Sequence, residues 1–282
     1  MASVFDRFEK NKEYLICVDS DGCAMDTMNS KHIKCFGPCM VEEWGLKEWE
    51  EAILARWNDI NLYTMTRGIN RFQGLLKALK EIDGQYVPIE GLDDLEQWVE
   101  NTPELSNGSL KKEIERTGSA VLKKALRWSE AVNTSIQMLD EKDKQPFAGV
   151  KEALSHAHRF ADIAIVSSAN LQAVMEEWDV HGLLEHTDIV LAQDAGSKAY
   201  CIGELLKKGY EKDKVLMTGD APGDYKAAQS NGVFYYPILV RHEAESWAEF
   251  KETAVSRLSG GSYEGAYQQE KVDAFLRNLG AE

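Results

Sequence analysis

The chain has 282 residues, 44% hydrophobic and 28% charged, a composition that suits a globular protein built as one large domain or two smaller ones. Its 47 acidic residues outnumber 32 basic ones, for a formal net charge of −15. That field disfavours nucleic acid and anionic membrane surfaces as partners, while a small phosphorylated molecule held by local cations stays compatible with it.

Five cysteines, an odd number, suggest no secreted disulfide framework. The opening stretch MASVFDRFEKNKEY has no apolar segment of a signal peptide, and no uncharged run reaches the length of a membrane span. A cytoplasmic location is therefore expected. The first strand is predicted at Tyr14 to Val18. It stops at Asp19, and Asp21 follows with Gly22 behind it. Two carboxylates on one side of an extended chain repel each other unless something neutralises them, and a bound cation does so.

Residues 28 to about 146 read as helical throughout. Trp49, Ile53, Trp57 and Ile60 fall on one helical stripe. This insert is expected to be a separate module with its tryptophans as core. Cys35 and Cys39 in CFGPC lack a second pair, so no zinc site is expected there.

From there strand and helix alternate. DIAIVSSAN (162–170), DIVLAQD (188–194), KVLMTGDAPGD (214–224) and FYYPILV (234–240) read as strands running into loops. Helical stretches separate them, and a last helix is predicted over about 265–278. Such alternation implies crossovers and a mostly parallel sheet with helices on both faces. Ligands in such sheets bind at the C-terminal strand ends. Those ends collect Asp19 and Asp21, Ser167 beside Ser168, Lys198, and Asp220 and Asp224.

Phosphoryl transfer needs this set. Magnesium takes carboxylate and carbonyl oxygens. One carboxylate serves as nucleophile and a second acid moves the proton. A lysine and a serine hold the charged oxygens. Neither DxDG nor GDxxxD is specific alone, since acidic loops after strands are common; their order and placement carry the reading.

VDSDGCAMDT, VSS, the isolated Lys198 and TGDAPGD together resemble the four motifs of the haloacid dehalogenase superfamily. The resemblance spans the whole chain. It implies a Rossmann-like α/β core of residues 1–27 and 147–282, with an all-helical cap at 28–146 in the type-C1 arrangement. Carried over by position, Asp19 is the nucleophile and Asp21 the general acid and base. Ser167 binds the phosphoryl group, a place for which Ser168 competes, and Lys198 orients the nucleophile. Mg2+ is held by Asp220 and Asp224 with the Asp19 carboxylate and the Asp21 backbone carbonyl. Ala199 stands where many relatives have proline after the lysine, and Lys207, Lys208 and Lys214 lie nearby. In the cap, Arg67 and Arg71 of TRGINRF are expected to contact the non-reacting part of the substrate. A solvated pair is the alternative.

The expected activity is Mg2+-dependent hydrolysis of a small phosphorylated metabolite through an aspartyl-phosphate. A phosphomutase shares the first half-reaction. A non-catalytic metabolite-binding protein of the same fold is the alternative of another class. Dehalogenases of this superfamily lack the second acid, and phosphonatases replace it, so Asp21 counts against both.

Overall fold

Five short apolar runs, aliphatic in the first four and aromatic in the last, form the strands β1 (Tyr14–Val18), β2 (Ala161–Val166), β3 (Ile189–Leu191), β4 (Val215–Gly219) and β5 (Phe234–Pro237). They make one sheet in the order β3-β2-β1-β4-β5, with every neighbouring pair parallel. Leu15 to Val18, all of β2 and all of β4 are buried. That is why they read as unbroken apolar runs: a parallel strand covered on both faces has no polar side to alternate with. β1 lies at the centre, with Ile16 opposite Ile163 on one side and Leu216 on the other. The chain builds outward through β2 and β3, then returns to β4 and β5 across β1. This reversal leaves a crevice at the C-terminal end of β1.

The computed structural model describes residues 3–281 and divides the chain into two units. One runs up to Met28 and resumes at Glu141; the other is Asn29–Asp140. Residues 141–146, expected in the insert, thus group with the sheet-bearing unit. The reason is local. The Asp26 N–H donates to the Gln145 carbonyl at 2.8 Å, and Met25 pairs with Pro146.

In the sheet-bearing unit, Ile16, Val18, Ile165 and Leu216 share a hydrophobic cluster with Leu154, Trp178 and Trp247. Burying each large aliphatic side chain is worth about 1.5–3 kcal/mol. A charge at the start of the β2 run has its own explanation. Asp162 is fully buried and accepts the N–H groups of Asn11 and Lys12, both at 2.9 Å, and the Tyr210 hydroxyl at 2.5 Å. It ties the segment before β1 to the sheet.

The second unit is helical. Its longer helices are Gly37–Trp44, Glu50–Asn58, Arg71–Gln85, Leu92–Asn101, Asn107–Thr117 and Ala120–Gln137. Ile53, Trp57 and Ile60 of the predicted stripe are buried among Leu75, Leu79, Trp98 and Trp128; Trp49 packs at the margin of the same cluster. Asn70 caps the helix after it by accepting the Phe72 N–H at 2.9 Å. Among the described residues, no helix is long and apolar enough to cross a membrane.

Candidate active site

β1 does not release the chain at Val18. The Asp19 N–H donates to the Thr218 carbonyl at 3.0 Å, extending the ladder with β4 by one residue and holding Asp19 at the strand end with 5% exposure. A tight loop follows. The Ser20 carbonyl accepts the N–H groups of Cys23, Ala24 and Met25 at 3.3, 3.0 and 2.9 Å, and Gly22 turns the chain with φ of 83°. Only glycine adopts that angle freely. The loop carries Thr27 back to Asp21, and the Thr27 hydroxyl donates to Asp21 Oδ1 at 2.5 Å.

At the end of β4 the structure departs from the expected loop. The helix Pro222–Asn231 starts inside GDAPGD, so Asp224 is in its first turn. Proline lacks an N–H that the first helical turn has no use for. The Asp224 carboxylate accepts the Ala221 N–H at 3.0 Å and so caps the helix it belongs to.

These two strand ends bring Asp19, Asp220 and Asp224 together. All three are buried, and carboxylate oxygens of the three lie within 4.8 Å of one another. Lys198, the first residue of the helix Lys198–Leu206, reaches into the same place. Its Nζ is 2.8 Å from Asp19 Oδ1 and 2.5 Å from Asp224 Oδ1. The competing lysines lie elsewhere: Lys207 pairs with Glu204, Lys214 pairs with Glu13 and Glu211, and Lys208 is half-buried beyond the far end of the Lys198–Leu206 helix. Lys198 pairs with two of the three clustered carboxylates, which crowd one another. Burial raises the Asp19 pKa well above the usual carboxylate range; Lys198 opposes this, while Asp224 and Asp220 add to it. Burial lowers the Lys198 pKa, but Asp19 and Asp224 outweigh it and hold the ammonium above its ordinary value.

The donor set fits a hard divalent cation. Carboxylate oxygens are the ligands such ions take, and a cation relieves the crowding that the single lysine leaves. The Asp21 carboxylate is not part of this trio; the expectation for Asp21 as a metal ligand concerns its backbone carbonyl.

Gly219 has a steric role here. A Cβ at this position falls 2.3 Å from the Asp224 carboxyl carbon and 2.4 Å from its Oδ2. No real Cβ tolerates such contacts, so Gly219→Ala is expected to displace Asp224 and free Lys198 from it. Turnover at this site should fall by about a hundredfold, as misplaced reacting groups commonly cause. Steady-state kinetics with a circular-dichroism check of folding tests this; a variant as active as wild type would show that the Asp224–Lys198 pairing is dispensable.

Ser167 is buried at the end of β2, where its N–H donates to the Leu191 carbonyl at 2.9 Å and its hydroxyl accepts the Ala169 N–H at 3.1 Å. Ser168, its competitor, is exposed. Asn170 then caps the helix Leu171–Val180 through the Gln172 N–H at 3.0 Å.

Arg67 and Arg71 belong to the helical unit. Arg67 is buried and donates from Nη1 to the Leu62 carbonyl at 2.8 Å. Arg71 Nη1 donates to Asn133 Oδ1 at 2.7 Å and Ser129 Oγ at 3.1 Å, and its guanidinium lies 5.0 Å from the Phe36 ring centre. Burial lowers its pKa. Both arginines hold their own unit together in part, which neither expected alternative foresaw.

Sequence reasoning also missed Thr27 and the indoles beneath the loop. Trp178 donates from Nε1 to Ser20 Oγ at 2.9 Å, and Trp247 donates from Nε1 to the Cys23 carbonyl at 2.9 Å. Both partners lie far away along the chain, and no local pattern announces them.

A family model described as haloacid dehalogenase-like hydrolase matches residues 92–237. This is just over half of the chain and includes Ser167, Lys198, Asp220 and Asp224. No curated protein matches. Several solved structures are similar. A haloacid dehalogenase-like family hydrolase from Xanthomonas campestris has 11% identity over 90% of this chain and 97% of its own, with a TM-score of 0.51. A hydrolase of the haloacid dehalogenase-like family from Streptococcus pneumoniae has 11% identity over 85% of this chain and 91% of its own, with a TM-score of 0.47. A predicted phosphoglycolate phosphatase from Haemophilus somnus has 15% identity over 80% and 85%, with a TM-score of 0.47.

Proposed function

From its membership of the haloacid dehalogenase-like hydrolase family, to which the chain belongs, we propose that this protein is a magnesium-dependent phosphatase acting on a small phosphorylated metabolite. The observation that carries the reading is the meeting of three buried carboxylates and one lysine at the adjacent ends of β1 and β4, with Asp21 two residues beyond Asp19.

In this reading Asp19 is the nucleophile. One of its oxygens forms a bond to phosphorus as the ester P–O bond breaks. Asp21 gives its proton to the departing oxygen, so the alcohol leaves neutral. Asp21, now a carboxylate, takes a proton from a water whose oxygen attacks the same phosphorus. The bond to Asp19 breaks, and inorganic phosphate is released with Asp19 regenerated. Lys198 holds the reacting Asp19 oxygen in place and balances charge on the transferred group. Ser167 donates its hydroxyl to a phosphoryl oxygen. Asp19, Asp220 and Asp224, with the Asp21 backbone carbonyl, would hold a magnesium ion, which would supply positive charge against the crowded acids and the phosphoryl oxygens.

The test is a panel of phosphorylated metabolites incubated with the protein and Mg2+, scored for released phosphate. Release from one or a few small esters, abolished by a chelator, is expected. Turnover that requires an added bisphosphate and yields an isomer rather than phosphate would make the protein a mutase. No turnover of either kind on a broad panel would sink the reading.

A further inference from the structure

We propose that the buried hydrogen bond from Trp178 to Ser20 is a positioning device: it fixes the directions in which the loop after β1 presents Asp19 and Asp21. The inference rests on the roles proposed above for those two acids. Ser20 sits between them. Ser20 is fully buried, while Asp21 is partly exposed. The Ser20 hydroxyl is held by the Trp178 indole N–H at 2.9 Å. Its carbonyl gathers the three N–H groups that close the loop. Backbone and side chain of this one residue therefore form the pivot on which both acids turn.

The anchor is stiff. Trp178 is fully buried and belongs to the helix Leu171–Val180, in the same cluster as Ile16, Val18 and Ile165 of the sheet. Trp247, from the helix Glu243–Glu249, fixes the far side of the loop through the Cys23 carbonyl. A packed indole gives a loop what a flexible side chain does not: a donor whose place is set by the core around it. The Ser20 hydroxyl lets that rigidity reach the reacting groups.

Hydrogen-bond asymmetry supplies the test. Removing one partner leaves the other buried and unpaired, whereas replacing both with apolar groups is close to neutral. Ser20→Ala, Trp178→Phe and the double variant are compared with wild type in two measurements. The first is the Mg2+ concentration at the midpoint of the metal-induced rise in melting temperature, which does not depend on turnover. The second is kcat and KM on p-nitrophenyl phosphate. Each single variant is expected to need several-fold more Mg2+ and to lose about tenfold in kcat with KM little changed, the size of loss that a slight misplacement causes. The double variant is expected to lose no more than the worse single one.

Tyr263→Phe serves as the structural control. It removes a buried hydrogen bond to the Tyr235 carbonyl at 2.8 Å, a bond in which no residue of the loop takes part. It should lower the melting temperature and leave both readouts unchanged. If Ser20→Ala and Trp178→Phe behave as this control does, or if their losses multiply in the double variant, the positioning role is overturned. A wild type that binds Mg2+ without releasing phosphate refutes the proposed phosphatase alone, and the Mg2+ midpoints then decide the inference. A wild-type melting temperature unmoved by Mg2+ overturns both.

Discussion

Asp19→Asn is expected to release no measurable phosphate from any substrate that the wild type hydrolyses. Uncatalysed phosphate-monoester hydrolysis is among the slowest reactions known, and enzymes accelerate it by up to ~10²¹-fold. The proposed route divides that barrier through a covalent intermediate, and an amide oxygen is too poor a nucleophile to open it. The fold should survive. The Asp19 N–H bond to Thr218 is made by the backbone and persists in the variant. Asparagine keeps the side-chain shape while removing one of three crowded negative charges. Stability should therefore hold or rise. Single-turnover assays with acid-quenched protein give the sharpest check: phosphate carried by wild type and absent from the variant. Turnover retained by a clean preparation of Asp19→Asn would exclude Asp19 as the nucleophile.

Asp220→Ala is expected to abolish the magnesium response. A ligand that binds only the folded state stabilises it by RT ln(1 + [L]/Kd), about 2.7 kcal/mol at a hundredfold excess over Kd. Mg2+ should raise the melting temperature of the wild type and leave that of Asp220→Ala unmoved, with activity lost at ordinary Mg2+ levels. The response should also depend on pH. The folded-state pKa of Asp19 is raised, first by burial. Between its unfolded and folded values the folded protein binds the extra proton, so metal-free stability from this group falls as pH rises through that window. The ion competes with that proton. The magnesium-induced rise should therefore grow as pH rises through that window. An Asp220→Ala protein with the wild-type titration curve would reduce GDAPGD to a helix start.

Two kinds of legibility separate here. The sheet was readable because its strands are buried on both faces, so their apolar runs are unbroken and end abruptly in acids at Asp19 and Asp220. The helical insert was readable from the stripe of Ile53, Trp57 and Ile60, since a 3.6-residue period has to match a single buried face. A family pattern in four short motifs added the expected roles. What could not be read is how strand ends face one another, because strand order depends on pairings between distant segments.

Lys198 shows the difference. As a letter in the chain it competed with Lys207, Lys208 and Lys214; only the packing of its helix brings its Nζ to Asp19 and Asp224. Asp224 was read as a loop acid, yet it caps a helix and fills the space that a side chain at Gly219 would take. Arg67 and Arg71 were expected at the substrate, with a solvated pair as the alternative; folding gave both internal partners as well. Trp178 stood in a helical stretch with nothing to single it out; its ring packs in the core, while its N–H reaches Ser20, 158 residues away in the chain. The sequence by itself determined which segments are strands, which are helices and which residues are candidates for the chemistry, because periodicity and side-chain type are local properties. Only the tertiary structure decided which of those groups meet and what holds them, because hydrogen bonds and ion pairs are set by distances of a few ångströms between segments that the sequence keeps far apart.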